Sequence, residues 1–173
     1  MSQRHAAFPI IRPPHAVDEA SFLDECTRCE ACIKSCPHDA IVHAPARFRA
    51  AAGTPMIDPH AAPCRACADT PCVSACEPNV LRLDAPFAMG SASIDTQSCL
   101  AHQGSFCTVC SEHCPVPGAI STESGKPTVN ASACTGCGVC HYVCPAPQNA
   151  VLVIPNRARP TPSELNNANG AKE

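Results

Sequence analysis

The chain has 173 residues, 16 of them cysteine and 19 proline, with 3% aromatic residues, no Trp and a formal net charge of −3. So few large apolar side chains build a weak core, which leaves disulfides or metal to hold the fold. The lack of any basic block excludes a nucleic-acid-binding face, and no stretch approaches the ~20 apolar residues of a membrane span.

Residues 1–20 read as an N-terminal arm, extended by Pro9, Pro13 and Pro14. It is either a docking arm for a partner or a terminus tied down by Phe22 and Leu23. Ala20–Glu25 reads as a short helix. The first cysteine run follows, Cys26-Thr-Arg-Cys29-Glu-Ala-Cys32-Ile-Lys-Ser-Cys36-Pro37. This is Cys-x2-Cys-x2-Cys-x3-Cys-Pro, the bacterial ferredoxin ligand run for a [4Fe–4S] cluster. Ile41–His43 and Met56–Ile57 read as short strands around a loop.

The second run has Cys64, Cys67, Cys72 and Cys76, with two extra residues in its middle gap and Glu77 before Pro78. Val80–Leu83 and Ser91–Ile94 read as strands. The third run has Cys99, then a seven-residue gap, then Cys107, Cys110, Cys114 and Pro115, and is the least regular of the four. Ile120–Thr122 and Thr128–Val129 flank the turn signal Ser124-Gly125-Lys126. The fourth run, Cys134, Cys137, Cys140, Cys144 and Pro145, is regular, with Gly136 and Gly138 permitting a tight curl around a cube. Val151–Ile154 is the clearest strand, and the Pro- and Asn-rich residues 155–173 read as a disordered or loosely attached tail.

The runs begin at Cys26, Cys64, Cys99 and Cys134, about 35 to 38 residues apart, and every cysteine belongs to one of them. A repeat of this kind sets the architecture. The expectation is an α+β fold of four strand–cysteine loop–helix–strand repeats, near residues 21–57, 58–90, 91–126 and 127–154. They pair into two dicluster-ferredoxin-like units with irregular tails.

Disulfides require an oxidising compartment. The N-terminal sequence shows neither an apolar run of signal-peptide length nor a twin-arginine pair, so a reducing cytoplasm is expected, where thiolates stay available for metal. Zinc sites usually join two Cys-x2-Cys knuckles through a longer spacer, whereas here the knuckles are fused. Four [4Fe–4S] clusters are therefore expected, with no zinc and with a [3Fe–4S] centre as the alternative in the third run. His38, His113 and His141 adjoin ligand positions and are read mainly as solvent-facing, with tuning of a cluster as the alternative. His102 is a weak candidate ligand. Neither a phosphate loop nor a nucleophile–base pair is visible, so no catalysis is assigned.

In two-cluster ferredoxins the fourth cysteine of each run serves the other cluster. Runs could pair as neighbours, first with second and third with fourth. They could also pair nested, first with fourth and second with third. The nested form encloses the two irregular runs and is the preferred expectation. It groups Cys26, Cys29 and Cys32 with Cys144, and Cys134, Cys137 and Cys140 with Cys36. It likewise groups Cys64, Cys67 and Cys72 with Cys114, and Cys99, Cys107 and Cys110 with Cys76.

Arg12-Pro13-Pro14, F-L-x-x-C-T-R-C-x-A-C-I at Phe22–Ile33, C-L-A-x-Q-G at Cys99–Gly104 and A-C-x-G-C-G-x-C at Ala133–Cys140 resemble the NapF-type ferredoxin family of periplasmic nitrate reductase systems. That family is related to NapG/MauM-like polyferredoxins, in which the longer gap of the second run also occurs. The resemblance implies a cytoplasmic iron–sulfur protein that is not an enzyme. It would transfer single electrons or aid maturation of a molybdenum-containing catalytic subunit, its protein redox partner. The alternative is a stable electron-transfer subunit of another multi-subunit redox enzyme.

Overall fold

The computed structural model describes residues 10–170; residues 1–9 of the arm and 171–173 of the tail lie outside it. The elements, in chain order, are short. They are α1 (Glu19–Glu25), α2 (Ala31–Lys34), β1 (Ile41–His43), a 3₁₀ segment (Ala46–Ala51), β2 (Pro55–Ile57) and α3 (Pro71–Ser74). Then come β3 (Gly90–Ile94), α4 (Val109–Glu112), β4 (Ile120–Glu123), β5 (Lys126–Val129), α5 (Val139–Tyr142), β6 (Val151–Pro155) and α6 (Pro162–Gly170). The fold is mixed α+β, with four-residue helices after the cysteine loops and two-stranded antiparallel sheets.

The strands pair in a pattern that divides the repeats two and two. In the second half, β3 pairs antiparallel with β6 along Gly90–Ile94, while β4 and β5 form a hairpin inside that pair. Ser124 and Gly125 both take positive φ at the hairpin tip, 51° and 78°, which matches the right-handed twist of the strands. In the first half β1 and β2 supply the inner hairpin. The outer pair comes from the arm, where Val17 N–H donates to Val80 O and Arg82 N–H to His15 O at 3.0 and 2.8 Å. The expected strand at Val80–Leu83 thus makes only an isolated bridge, Ala16 to Leu81. Each half is an outer antiparallel pair around an inner hairpin, with two cysteine loops and two short helices between them.

The arm is woven into the core from Ile10 onward. Ile10, Ile11, Ala16, Val17 and Phe22 are buried, and Ile57 N–H donates to Ile11 O at 2.8 Å. Arg12 is fully buried. It lies over the Phe22 ring at 4.3 Å, donates to Thr54 Oγ1 at 2.7 Å and to Pro55 O at 2.8 Å, and pairs through two nitrogens with the Glu19 carboxylate. A charge so placed stays charged only with an opposite charge and satisfied donors.

The tail differs from its expectation. Arg159 donates to Glu19 at 2.7 Å and to Val17 O at 2.9 Å, and Asp18 N–H donates to Pro160 O at 2.9 Å. Helix α6 then packs Leu165 into the main core. Its start is a capping box: Thr161 N–H donates to the Glu164 carboxylate at 2.7 Å, and Glu164 N–H donates to Thr161 Oγ1 at 3.3 Å. The signal is Thr161-Pro162-Ser163-Glu164, hidden by a composition that reads as disorder.

Candidate metal centres

Three of the four cysteine loops curl because the second residue of the Cys-x2-Cys step takes the left-handed conformation, whereas in the third run the corresponding Val109 opens α4. The left-handed residues are Arg28 (φ 56°), Ala66 (φ 52°) and Gly136 (φ 71°). Glu30 and Gly138, two positions on, do the same at φ 64° and 85°. The curl turns backbone N–H groups toward sulfur. Ala92 N–H donates to Cys134 Sγ at 3.3 Å. Cys29 receives the Ala31 N–H, which holds its thiol below the ordinary range. Cys76 accepts from the backbone at Leu81, Val80 and Asn79, although burial still raises its thiol overall.

The sixteen cysteines, all free thiols, fall into four sets. The first pocket is lined by Cys26, Cys29, Cys32 and Cys76, and the second by Cys64, Cys67, Cys72 and Cys36. In the third set Cys99 packs with Cys107 and Cys144, and Cys110 feels the charges of Cys107, Cys99 and Cys144. The fourth pocket is lined by Cys134, Cys137, Cys140 and Cys114. Each set takes three thiols from one run and the fourth from its neighbour in the same half.

This corrects the nested expectation. Cys144 stands with the third run rather than with Cys26, and Cys36 with the second rather than with Cys134. Cys76 stands with the first run and Cys114 with the fourth. The reason is the strand pairing: β3 with β6, and the arm with residues 80–82, close each half on itself.

The long gap of the third run does not displace Cys99. Residues 100–106 fold into a compact turn, in which Gln103 N–H donates to Cys99 O at 3.0 Å and Ser105 N–H to Leu100 O at 2.9 Å. His102 is turned away from the set, its Nε2 3.1 Å from Pro127 O. The solvent-facing expectation holds for His113, which is exposed with Nδ1 2.9 Å from Val109 O. It fails for His141, which is buried. His141 Nδ1 lies 2.6 Å from Val151 O and its Nε2 lies 3.2 Å from His60 Nδ1. His38 lines the second pocket. The Arg12–Glu19–Arg159 group and the His60–His141 pair are additions the spacing of the cysteines does not reveal.

The donor sets fit a polynuclear cluster. The third cysteine of each run sits deep, and desolvation followed by neighbouring cysteines pushes the thiols of Cys32 and Cys140 up to about 12. Burial acts in the same direction on Cys64, Cys72 and Cys110. Four such thiolates crowded together require cationic charge between them. Among the described residues, no three or more His, Cys, Asp or Glu side chains converge closely enough to hold a single metal ion. Nor, among them, is any helix long and apolar enough to cross a membrane.

Comparison with known proteins agrees with this chemistry. The 4Fe-4S binding domain family matches residues 22–42, and the 4Fe-4S dicluster domain family matches residues 88–145, which span the third and fourth runs. The chain is 37% identical over 162 residues to ferredoxin-type protein NapG of Escherichia coli, covering 84% of this chain and 70% of that protein. It is 36% identical over 159 residues to methylamine utilization ferredoxin-type protein MauM of Methylorubrum extorquens, covering 84% and 72%. To ferredoxin-type protein NapF of Escherichia coli it is 36% identical over 143 residues, covering 78% and 80%. The cofactor these matches carry is [4Fe–4S], and the 16 cysteines in four runs are compatible with four clusters.

Proposed function

This chain belongs to the NapG/MauM/NapF family of ferredoxin-type polyferredoxins, which are electron carriers rather than enzymes, and from that premise we propose that all sixteen cysteines are ligands of four [4Fe–4S] clusters. Cys26, Cys29, Cys32 and Cys76 hold the first and Cys64, Cys67, Cys72 and Cys36 the second. Cys99, Cys107, Cys110 and Cys144 hold the third, and Cys134, Cys137, Cys140 and Cys114 the fourth. Both halves are read as dicluster-ferredoxin-like units. The observation that carries this is the exchange of the fourth cysteine between neighbouring runs, which gives three four-thiol pockets and a third-run set in which Cys99, Cys107 and Cys144 pack together beside Cys110.

A bound [4Fe–4S] cluster supplies a one-electron couple whose potential is set by ligation, hydrogen bonds to sulfur and burial. The protein's part is to supply those three. Cys29 is exposed and gives the first site an opening to a partner, while Cys72 and Cys140 are buried and keep water from the second and fourth.

The partner is proposed to be another redox protein, a molybdenum-containing catalytic subunit of a nitrate reductase, met in the cytoplasm. The arm and cysteine-loop motifs shared with NapF-type proteins support it. A stable electron-transfer subunit of another multi-subunit redox enzyme is supported by the matches to NapG and MauM, which cover more of the chain than the NapF match does.

Anaerobic purification with iron, sulfide and zinc analysis tests the cofactor: about 16 iron and 16 sulfide per chain are expected from four cubes. Stoichiometric zinc without sulfide would overturn the assignment. Co-purification with the catalytic subunit before and after cofactor loading separates the roles. A maturation factor prefers the unloaded form, and a subunit stays with the loaded one.

A further inference from the structure

Among the described residues, one backbone hydrogen bond joins cysteine loops of the two halves. Cys64 N–H donates to Cys137 O at 3.0 Å, joining a residue of the second site to one of the fourth. The contact is built by the absence of side chains. A Cβ on Gly138 would meet Pro59 Cβ of the other half at 2.8 Å, and one on Gly136 would meet the Gly90 backbone of its own half at 2.4 Å. Met89 N–H donates to Thr135 O at 2.9 Å on one side. The rings of His60 and His141 meet at 4.3 Å on the other. The histidine flank ties the loop before Cys64 to the fourth run across the halves, while the Met89 flank holds the segment leading into β3 against that same run.

The apolar packing tells the same story. One core cluster contains Cys32 of the first site, Cys64 and Cys72 of the second, and Cys137 of the fourth. A separate cluster contains Cys110 and Cys144 of the third site with Cys134 and Cys140 of the fourth. The fourth site belongs to both. At the far ends, Cys29 is exposed beside the first site, and Phe106, 92% exposed, precedes Cys107 of the third.

We propose that the Cys64 and Cys137 loops form the junction between the halves, so that the four sites make an unbranched line in the order first, second, fourth, third. The spatial order therefore differs from the order in sequence, and the first and third sites are the termini. This rests on the reading of the sixteen cysteines as cluster ligands. With clusters bound by these cysteines, exchange across the junction would transfer one electron, oxidising one side by one equivalent and reducing the other by one. No bond is made and no proton moves. The external reductant enters at a terminal site.

The test uses two double variants of the full chain, reduced with dithionite and read by electron paramagnetic resonance. Cys29→Ser/Cys107→Ser removes the two terminal sites and keeps the second and fourth. Cys67→Ser/Cys134→Ser removes the junction sites and keeps the first and third. Each is expected to retain about 8 iron atoms, two cubes' worth; a content still near 16 would instead refute the ligand assignment. The expected result is a broadened, spin-coupled spectrum for the first variant and two independent signals for the second. An uncoupled spectrum in the first, or a coupled one in the second, overturns the line. The intact, loaded protein provides the second measurement. In its crystal structure, located by iron anomalous scattering, the shortest separation between clusters of different halves must fall between the sites of Cys64 and Cys137. Any other closer pair rejects the proposal.

Discussion

Arg159 donates a 2.7 Å hydrogen bond to Glu19, 140 positions earlier in the chain. The same carboxylate pairs with Arg12, whose side chain is fully buried, while that of Arg159 is 6% exposed. One acid therefore answers two buried cations and fastens arm and tail to the first half.

Glu19→Gln removes the carboxylate with which both guanidinium groups pair. Removing one member of a buried pair costs about 3 to 5 kcal/mol. Glu19 keeps 29% exposure, so a loss of about 2 to 3 kcal/mol is expected here, allowing for water at the vacant side. Denaturant unfolding of the iron-loaded protein measures it, and a loss within ~0.5 kcal/mol of wild type would show the pair to be unimportant.

The crossed ligation predicts where single losses appear. Cys76→Ser should perturb the cluster of Cys26, Cys29 and Cys32, and Cys144→Ser that of Cys99, Cys107 and Cys110. Mössbauer and paramagnetic resonance spectra, referenced to variants in each run, identify the site. If Cys144→Ser altered the Cys26 site instead, the neighbouring pairing would be wrong.

The tail helix can be loosened without touching a ligand. Thr161→Ala removes the cap, an expected loss of about 1 kcal/mol. Leu165→Ala empties a buried position, at the low end of the about 2 to 5 kcal/mol seen for such truncations. Hydrogen exchange should show faster exchange in residues 162–170 for both, with the cysteine loops unchanged. Equal protection in wild type and variants would mean the helix does not rest on these contacts.

Stripping the iron should unfold the chain. With 3% aromatic residues and helices of four residues beside the cysteines, the core without clusters confronts crowded, buried thiols. Metal-site formation and folding are then one event. Anaerobic chelation under oxidant is expected to abolish most far-UV dichroism and enlarge the hydrodynamic radius. A chelated chain that kept its native radius would contradict this.

Much of the fold can be read from the chain. Ile41–His43 and Val151–Ile154 stand out as strands, because short β-branched runs between turn residues have few other uses, and Ser91–Ile94 is read as a strand from its place at the entry to the third repeat. The sixteen cysteines stand out through spacing alone. Which runs share pockets does not, because neighbouring and nested pairings satisfy the same spacing. The choice is made by β3 reaching β6 and by Val17 reaching Val80, and long-range strand partners leave no local trace. The tail is missed for a different reason: Asn and Pro dominate its composition, and one capping box with one arginine outweighs them.

Exchange of the fourth cysteine within each half also sets a timetable for synthesis. Once Cys76 and the Val80–Arg82 segment have left the ribosome, every thiol of the first two pockets exists, together with the outer strand pair that encloses them. A nested arrangement would have left all four pockets incomplete until Cys110 appeared, and the first of them until Cys144. Domains generally fold in order of emergence, so the first half can receive its iron while the second is still being made. Arg159 emerges only after all four runs, so its closure on Glu19 follows the completion of every pocket.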